Sequence, residues 1–247
     1  MKAILITGSS QGIGFGIAKY YAERDFHVCI NYLKNDEKAT QALTSLKASG
    51  GSASLHRCDV RNESTVKAMY DDIVALGHQL ETVVVNATDE VPKPIDEATF
   101  DEWHQVLLTK LDGAFLSIKY SVSLLEHAAN PAIVVITSSE GWRPDGEYLA
   151  YQVGTAGLIS IMVGNSRYLA KKYGIRVNAV APGPVPSGLW DKAGQTDGMW
   201  EDFRSRSPVG RTATTEDVGA AVWCLAEDPR KFLNGTTINV DGGSQWV

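Results

Sequence analysis

The segment Thr7-Gly8-Ser9-Ser10-Gln11-Gly12-Ile13-Gly14 decides how this chain folds. A short apolar run, residues 3–7, leads into it, and an amphipathic stretch, residues 13–24, follows. The segment therefore joins a strand to a helix. Its glycines permit a sharp turn, let the backbone approach a bound group closely, and bring helix and strand together. The start of that helix offers unpaired N–H groups and a partial positive charge, which suit phosphate oxygens. A glycine-rich turn alone is weak evidence. Between the first strand and the first helix of an alternating chain it marks a dinucleotide site, with Gly8, Ser10, Gln11, Gly12, Ile13 and Gly14 on the pyrophosphate side.

The alternation continues outward from the turn. Candidate strands cover residues 3–7, 28–32, 53–58, 82–86, 132–138, 176–181 and 236–240, several of them nearly continuous in Val and Ile. Such strands suit a parallel sheet covered by helices on both faces. Amphipathic stretches at 13–24, 36–49, 63–76, 100–127, 151–173 and 216–226 supply the helices. The expected fold is α/β, a Rossmann-type doubly wound parallel sheet of about seven strands. Residues 1–247 read as one dinucleotide-binding domain, since no break in composition divides them. The stretch 182–214 lacks clear periodicity and is rich in Gly, Pro, Ser and Thr, so it is expected to be a substrate loop or lid.

Composition narrows the function classes. The net charge of −6 and the lack of a basic run argue against a nucleic-acid partner. Cys29, Cys58 and Cys224 are few, odd in number and widely spaced, which suggests reduced thiols and no metal site. The first strand begins at once and no apolar stretch approaches membrane-spanning length, so a cytoplasmic location without membrane association is expected.

At the TGxxxGIG spacing, and in four further segments, the chain resembles the short-chain dehydrogenase/reductase family. These are Cys58-Asp59-Val60, Val85-Asn86-Ala87-Thr88, the run Arg176-Val177-Asn178-Ala179-Val180-Ala181-Pro182-Gly183, and Asn239-Val240-Asp241-Gly242-Gly243. The resemblance runs essentially end to end. It implies a nicotinamide dinucleotide cofactor, with Asp59 and Val60 toward the adenine. Asn86 and Ala87 correspond to the core of the family's NNAG element, and Pro182, Gly183 and Val185 to its nicotinamide-side loop. It also implies a small carbonyl or alcohol substrate and a homo-oligomer, tetramer or dimer, joined through the helices at 100–127 and 151–173.

The second strand bears on the choice of dinucleotide. NAD enzymes place an acid at its end to bind the ribose 2′-hydroxyl. Here that position is Tyr32, followed by Leu33 and Lys34, with no acid before Asp36. Loss of the carboxylate removes a repulsion against a 2′-phosphate, and Lys34 offers a countercharge. NADP(H) is favoured over NAD(H), although Lys34 also reads as a solvated loop charge.

The family's reaction needs a serine to orient the substrate oxygen, a tyrosine to exchange the proton, a lysine one helical turn later to lower the tyrosine pKa, and an asparagine for a water relay. Ser138 and Tyr151 match the first two by register, ahead of Ser139 and Tyr148, because Gly141 and Ala156-Gly157-Leu158 fall at the expected offsets. The lysine position holds Thr155, which carries no charge and can at best donate one hydrogen bond, to the nicotinamide ribose, so that Tyr151 and Thr155 are also expected cofactor contacts; the asparagine position holds Lys110. An unassisted tyrosine, with a pKa of about 10, is almost entirely protonated at neutral pH. Two readings of Lys110 stand open. It reaches Tyr151 or the ribose and restores the lost cation, or it snorkels outward beside Asp112.

A neutral tyrosine still serves as the acid for carbonyl reduction, whereas alcohol oxidation needs the phenolate, so reduction should survive better. Overall the chain resembles the 3-oxoacyl-(acyl carrier protein) reductase branch most. Substrate contacts are expected from residues 140–148 and 182–214, where Trp142, Trp190, Met199 and Trp200 line a pocket or seal an interface. Two function classes follow: an NAD(P)(H)-dependent oxidoreductase with a rearranged proton relay, or a catalytically degenerate relative acting as a dinucleotide-binding sensor or partner subunit.

Overall fold

Seven parallel strands lie side by side in the order β3-β2-β1-β4-β5-β6-β7. They are β1 (Lys2–Ile6), β2 (His27–Tyr32), β3 (Ser52–Arg57), β4 (Gln79–Val85), β5 (Ala132–Ile136), β6 (Arg176–Pro182) and β7 (Thr237–Val240). The computed structural model describes residues 1–187 and 197–244. The expected fold class is therefore the observed one.

Alternate residues of each central strand face opposite layers. Leu5, Val83, Val85, Ile133, Val135 and Val177 pack beneath α3 (Glu63–Ala75), α5 (Gly113–Leu125) and α6 (Leu149–Tyr173). Ile4, Ile6, Val28, Val84 and Val134 pack on the other side against α1 (Gly12–Ala22), α2 (Asp36–Ala48) and α8 (Thr215–Ala226). Burial on both faces is why these strands are apolar throughout and do not alternate. The strand order reverses between β1 and β4, and in open sheets that switch point forms the ligand crevice at the carboxyl ends.

Two expectations need correction. The predicted helix at 100–127 is three pieces: α4 (Phe100–Leu107), a π-helical turn (Leu108–Asp112) and α5. A π turn adds one residue to the hydrogen-bond ring without changing the apolar pattern much, so periodicity passes over it. The stretch 182–214 also contains a helix, α7 (Asp197–Arg206). No residue of α7 is buried, and ion pairs within it join Glu201 to Arg204 and Asp202 to Arg206. A helix that buries no apolar face carries no periodic signal. Trp190 lies outside the described residues, while Met199 and Trp200 belong to α7.

Among the described residues no helix is long and apolar enough to cross a membrane, and no group of three or more His, Cys, Asp or Glu is placed to hold a metal.

Candidate active site

The glycine turn is locked by side chains from the neighbouring strands. The Thr7 hydroxyl accepts the backbone N–H groups of Asn86 and Ala87 at 2.9 and 3.0 Å. The Asn86 amide donates back to the carbonyls of Thr7 and Gly8 at 2.8 and 3.1 Å. Asn31, near the end of β2, accepts the Gly8 N–H at 3.0 Å and donates to the carbonyls of His56 and Cys58. Gly8 adopts φ 65° and leads into this lock. A Cβ on Gly14 would lie 2.6 Å from the Asn86 side-chain nitrogen, which explains the glycine there. Ser10 lies in the turn, and Ile13 packs inward on the core.

The start of α1 fits a pyrophosphate. Gln11 at its N-cap makes no side-chain cap hydrogen bond and accepts instead from Lys38 Nζ at 2.8 Å. No acid occupies the first helical turn. The leading N–H groups therefore retain their capacity to donate to an anion.

Charges of both signs gather where the ribose acid of an NAD enzyme would stand, with Arg57 paired to Asp36 at 3.7 Å. Tyr32 ends β2, and parallel register sets Arg57 beside it. The Arg57 Nε donates to the Leu33 carbonyl at 3.2 Å. Lys34 is near enough to Asp59 to help hold its carboxyl below the usual range, though a chelating hydrogen bond from Arg61 is the larger cause. Arg57 and Lys38 escaped the sequence reading because only strand register and the α1–α2 packing bring them to this corner. Val60 touches Gly113, where a Cβ would meet Val60 Cγ2 at 2.9 Å. Across the crevice, Pro182 ends β6, Gly183 donates its N–H to the Val240 carbonyl at 3.0 Å, and Val185 is buried.

Ser138 follows β5 and accepts the Glu140 N–H at 3.3 Å, opening a short 3₁₀ turn, Ser139–Gly141. Tyr151 stands in the first turn of α6, with the Ser138 side chain close enough to act on its phenol. Burial pushes the Tyr151 phenol up to about 12, the nearby Ser138 hydroxyl lowers it, and the Glu90 and Glu140 carboxylates raise it. Tyr148, the alternative, is the N-cap of α6.

Thr155 is fully buried, and its hydroxyl donates to the Tyr151 backbone carbonyl at 2.8 Å. That proton is committed to the helix, which corrects the expected donation to a ribose, and Thr155 does not replace an ammonium. Lys110 turns inward and is 2% exposed, which corrects the outward-snorkelling alternative. Its Nζ donates to the Thr88 hydroxyl at 3.0 Å and lies 3.8 Å from the centre of the Tyr151 ring. Burial lowers the Lys110 amine to about 7, against an opposing pull from Glu90. The π turn directs this lysine inward, a device common at functional sites.

Gln152 was missed by sequence reasoning. It is 1% exposed, donates to Glu140 at 2.7 Å and to Asp145 at 2.6 Å, and accepts the Gly146 N–H at 3.0 Å. It thereby ties the loop after Ser138 to the first turn of α6. Trp142 in that loop is 44% exposed.

A family model described as enoyl-(acyl carrier protein) reductase matches residues 8–245. The chain is a short-chain dehydrogenase/reductase. Among curated members of the family it is 32% identical over 242 residues to a 3-oxoacyl-[acyl-carrier-protein] reductase of Staphylococcus aureus strain Mu50, covering 98% of this chain and 97% of that one. It is 28% identical to 3beta-hydroxysteroid dehydrogenase 1 of Eggerthella lenta, over 98% and 93% of the two chains. Among solved structures, a dehydrogenase/reductase from Sinorhizobium meliloti 1021 superposes with a TM-score of 0.90 at 26% identity, covering 98% and 94%. A short-chain type dehydrogenase/reductase from Mycobacterium ulcerans shares the fold, with a TM-score of 0.92 at 24% identity, covering 99% and 90%.

Proposed function

We propose that this short-chain dehydrogenase/reductase reduces a carbonyl, of the 3-oxoacyl kind or a simple ketone, at the expense of NADPH. The observation that carries the reading is that Ser138, at the carboxyl edge of the sheet, lies close enough to Tyr151 to act on its phenol, with the Lys110 ammonium 3.8 Å from the centre of the Tyr151 ring and a glycine turn with unfilled donors nearby. The nicotinamide supplies the hydride when bound. Ser138 then orients the carbonyl oxygen, and the Tyr151 hydroxyl gives it a proton. Lys110 stands in for the missing cation, favouring the phenolate left behind. A phenol held near 12 is fully protonated at neutral pH and has a proton to give, whereas almost no phenolate is present to take one, so reduction outpaces oxidation.

Gly8, Ser10, Gln11, Gly12, Ile13 and Gly14 would hold the pyrophosphate, Asp59 and Val60 the adenine, and Asn86, Ala87, Pro182, Gly183 and Val185 the nicotinamide half. Lys34, Arg57 and Lys38 support a 2′-phosphate beside Tyr32, which is the reason for preferring NADP(H). The exposed apolar residues Phe115, Val163 and Tyr168 on α5 and α6 support a homo-oligomer, tetramer or dimer. A cytoplasmic location accords with the relatives' reductive chemistry.

The test is NADPH oxidation with a panel of 3-oxoacyl thioesters and ketones, using wild type, Tyr151→Phe and Ser138→Ala. Turnover by wild type and its loss in Tyr151→Phe are expected. A wild type that binds NADPH but reduces nothing would overturn the reading in favour of a binding-only relative.

A further inference from the structure

Lys110 occupies a seat that two other residues shape. Its aliphatic stem crosses α6 at Gly154, where a Cβ would lie 2.8 Å from Lys110 Cδ and 3.3 Å from its Cβ and Cε. Any larger residue at 154 would push the stem away from Tyr151, its neighbour one turn earlier on the same helix. At the far end the ammonium needs a hydrogen-bond acceptor, because burial strips its water. The Thr88 hydroxyl supplies one at 3.0 Å and passes its own proton to the Asp89 carbonyl at 3.2 Å. Stem clearance and head-group acceptor come from different elements, α6 and the segment after β4. Both act on one side chain, and that side chain lies over the ring of the proposed proton donor.

We propose that Thr88 and Gly154 are positioning residues that seat Lys110 over Tyr151 as the cation of a relocated proton relay. The proposal rests on the reductase reading above. In each turnover the Tyr151 O–H bond breaks and its proton goes to the substrate oxygen, which becomes a hydroxyl. The phenolate left behind spreads its charge into the ring over which the buried Lys110 ammonium lies, and that attraction lowers the barrier to its formation. Solvent then returns a proton to Tyr151. The charged groups acting on the pair are Glu90, from the segment after β4, on both residues, and Glu140, from the loop after β5, on Tyr151. Asp112, on the same π turn as Lys110, is exposed.

The experiment follows Lys110 and turnover separately. Acetic anhydride labelling across pH 5–10, read by peptide mass spectrometry, gives the midpoint at which Lys110 becomes a free amine. The pH profile of kcat/KM gives the limb at which activity falls. In wild type both are expected near 7, the value burial imposes on this amine. Thr88→Val should move both toward acid by about one pH unit, a tenfold change in proton affinity, while Thr88→Ser restores them. Gly154→Ala should lower kcat by about tenfold or more, with KM much less affected, as expected for a group that acts mainly in the transition state. Lys110→Met should abolish the limb.

A Thr88→Val midpoint identical to wild type, or full kcat in Gly154→Ala, would overturn the proposal. If no carbonyl is reduced by wild type, the labelling midpoints still decide the seat: movement in Thr88→Val keeps the seating and sinks the reductase reading, and no movement sinks the seating itself.

Discussion

Replacing Gln152 by methionine removes three hydrogen bonds while nearly preserving volume. Two of the lost bonds run to carboxylates, Glu140 at 2.7 Å and Asp145 at 2.6 Å, and the third comes from the Gly146 N–H. Bonds to charged groups contribute about 1.5–3 kcal/mol each and neutral ones about 0.5–1.5 kcal/mol. Asp145 is exposed and regains water when released, so its bond belongs at the bottom of that range. Glu140 is half-buried, with its carboxyl raised above the usual range chiefly by burial, and it loses a donor it cannot fully replace with solvent. The expected loss of stability is about 3 kcal/mol. For a domain of this size that lowers Tm by about 6–12 °C. Because Glu140 donates its N–H to Ser138, the loosened loop should also lower kcat/KM for carbonyl reduction. Urea unfolding and steady-state kinetics on Gln152→Met and Gln152→Ala measure the two effects. A Gln152→Met variant within 0.5 kcal/mol of wild type (about the noise of a surface substitution) and with unchanged kcat/KM would show that the clamp neither stabilises the loop nor orients Ser138.

Three further outcomes follow from other parts of the molecule. Gly16→Ala places a Cβ about where Thr215 already stands, 2.2 Å from its Cβ; urea titration should show a loss of about 1–3 kcal/mol, partly restored by Thr215→Gly, and an unmoved midpoint would refute the α1–α8 contact. Arg57→Ala should weaken NADPH binding by about tenfold, the scale of one charge-assisted contact, and leave NADH binding nearly unchanged; equal losses for both by calorimetry would remove Arg57 from a 2′-phosphate site. His27 is held neutral, its pKa lowered from 6.5 to about 4 by burial first and then by His78 and His56. The unfolded chain binds that proton earlier, so the stability His27 contributes is complete above pH 6.5 and is lost as pH falls toward 4. Urea midpoints between pH 7 and 5 should fall less in His27→Asn than in wild type, and parallel slopes would contradict the assignment.

Much of this protein is legible in one dimension. A strand buried on both faces must be apolar along its length, and a helix over a sheet must repeat its apolar residues every three or four positions, so sheet and major helices follow from pattern alone. The glycine turn is equally legible, because the left-handed φ of Gly8 is a demand the local sequence must meet. Ser138 and Tyr151 could be named because the family resemblance sets their register through Gly141 and Ala156-Gly157-Leu158. The absence of a lysine at Thr155 was visible too, along with the presence of one at Lys110.

Where Lys110 lies relative to Tyr151 was decided by tertiary structure. Lys110 points inward because a π turn interrupts its helix, because Gly154 leaves room for its stem, and because Thr88 meets its ammonium. Thr88, Lys110 and Gly154 come from three separate segments, and no periodicity links them. The same holds for Arg57 beside Tyr32, which depends on strand register, and for Gln152 between Glu140 and Asp145, which depends on how a loop folds back on a helix. Backbone geometry and apolar burial are enforced by neighbours in sequence, whereas the partner of a buried charge is whichever polar group the finished fold brings within hydrogen-bond reach.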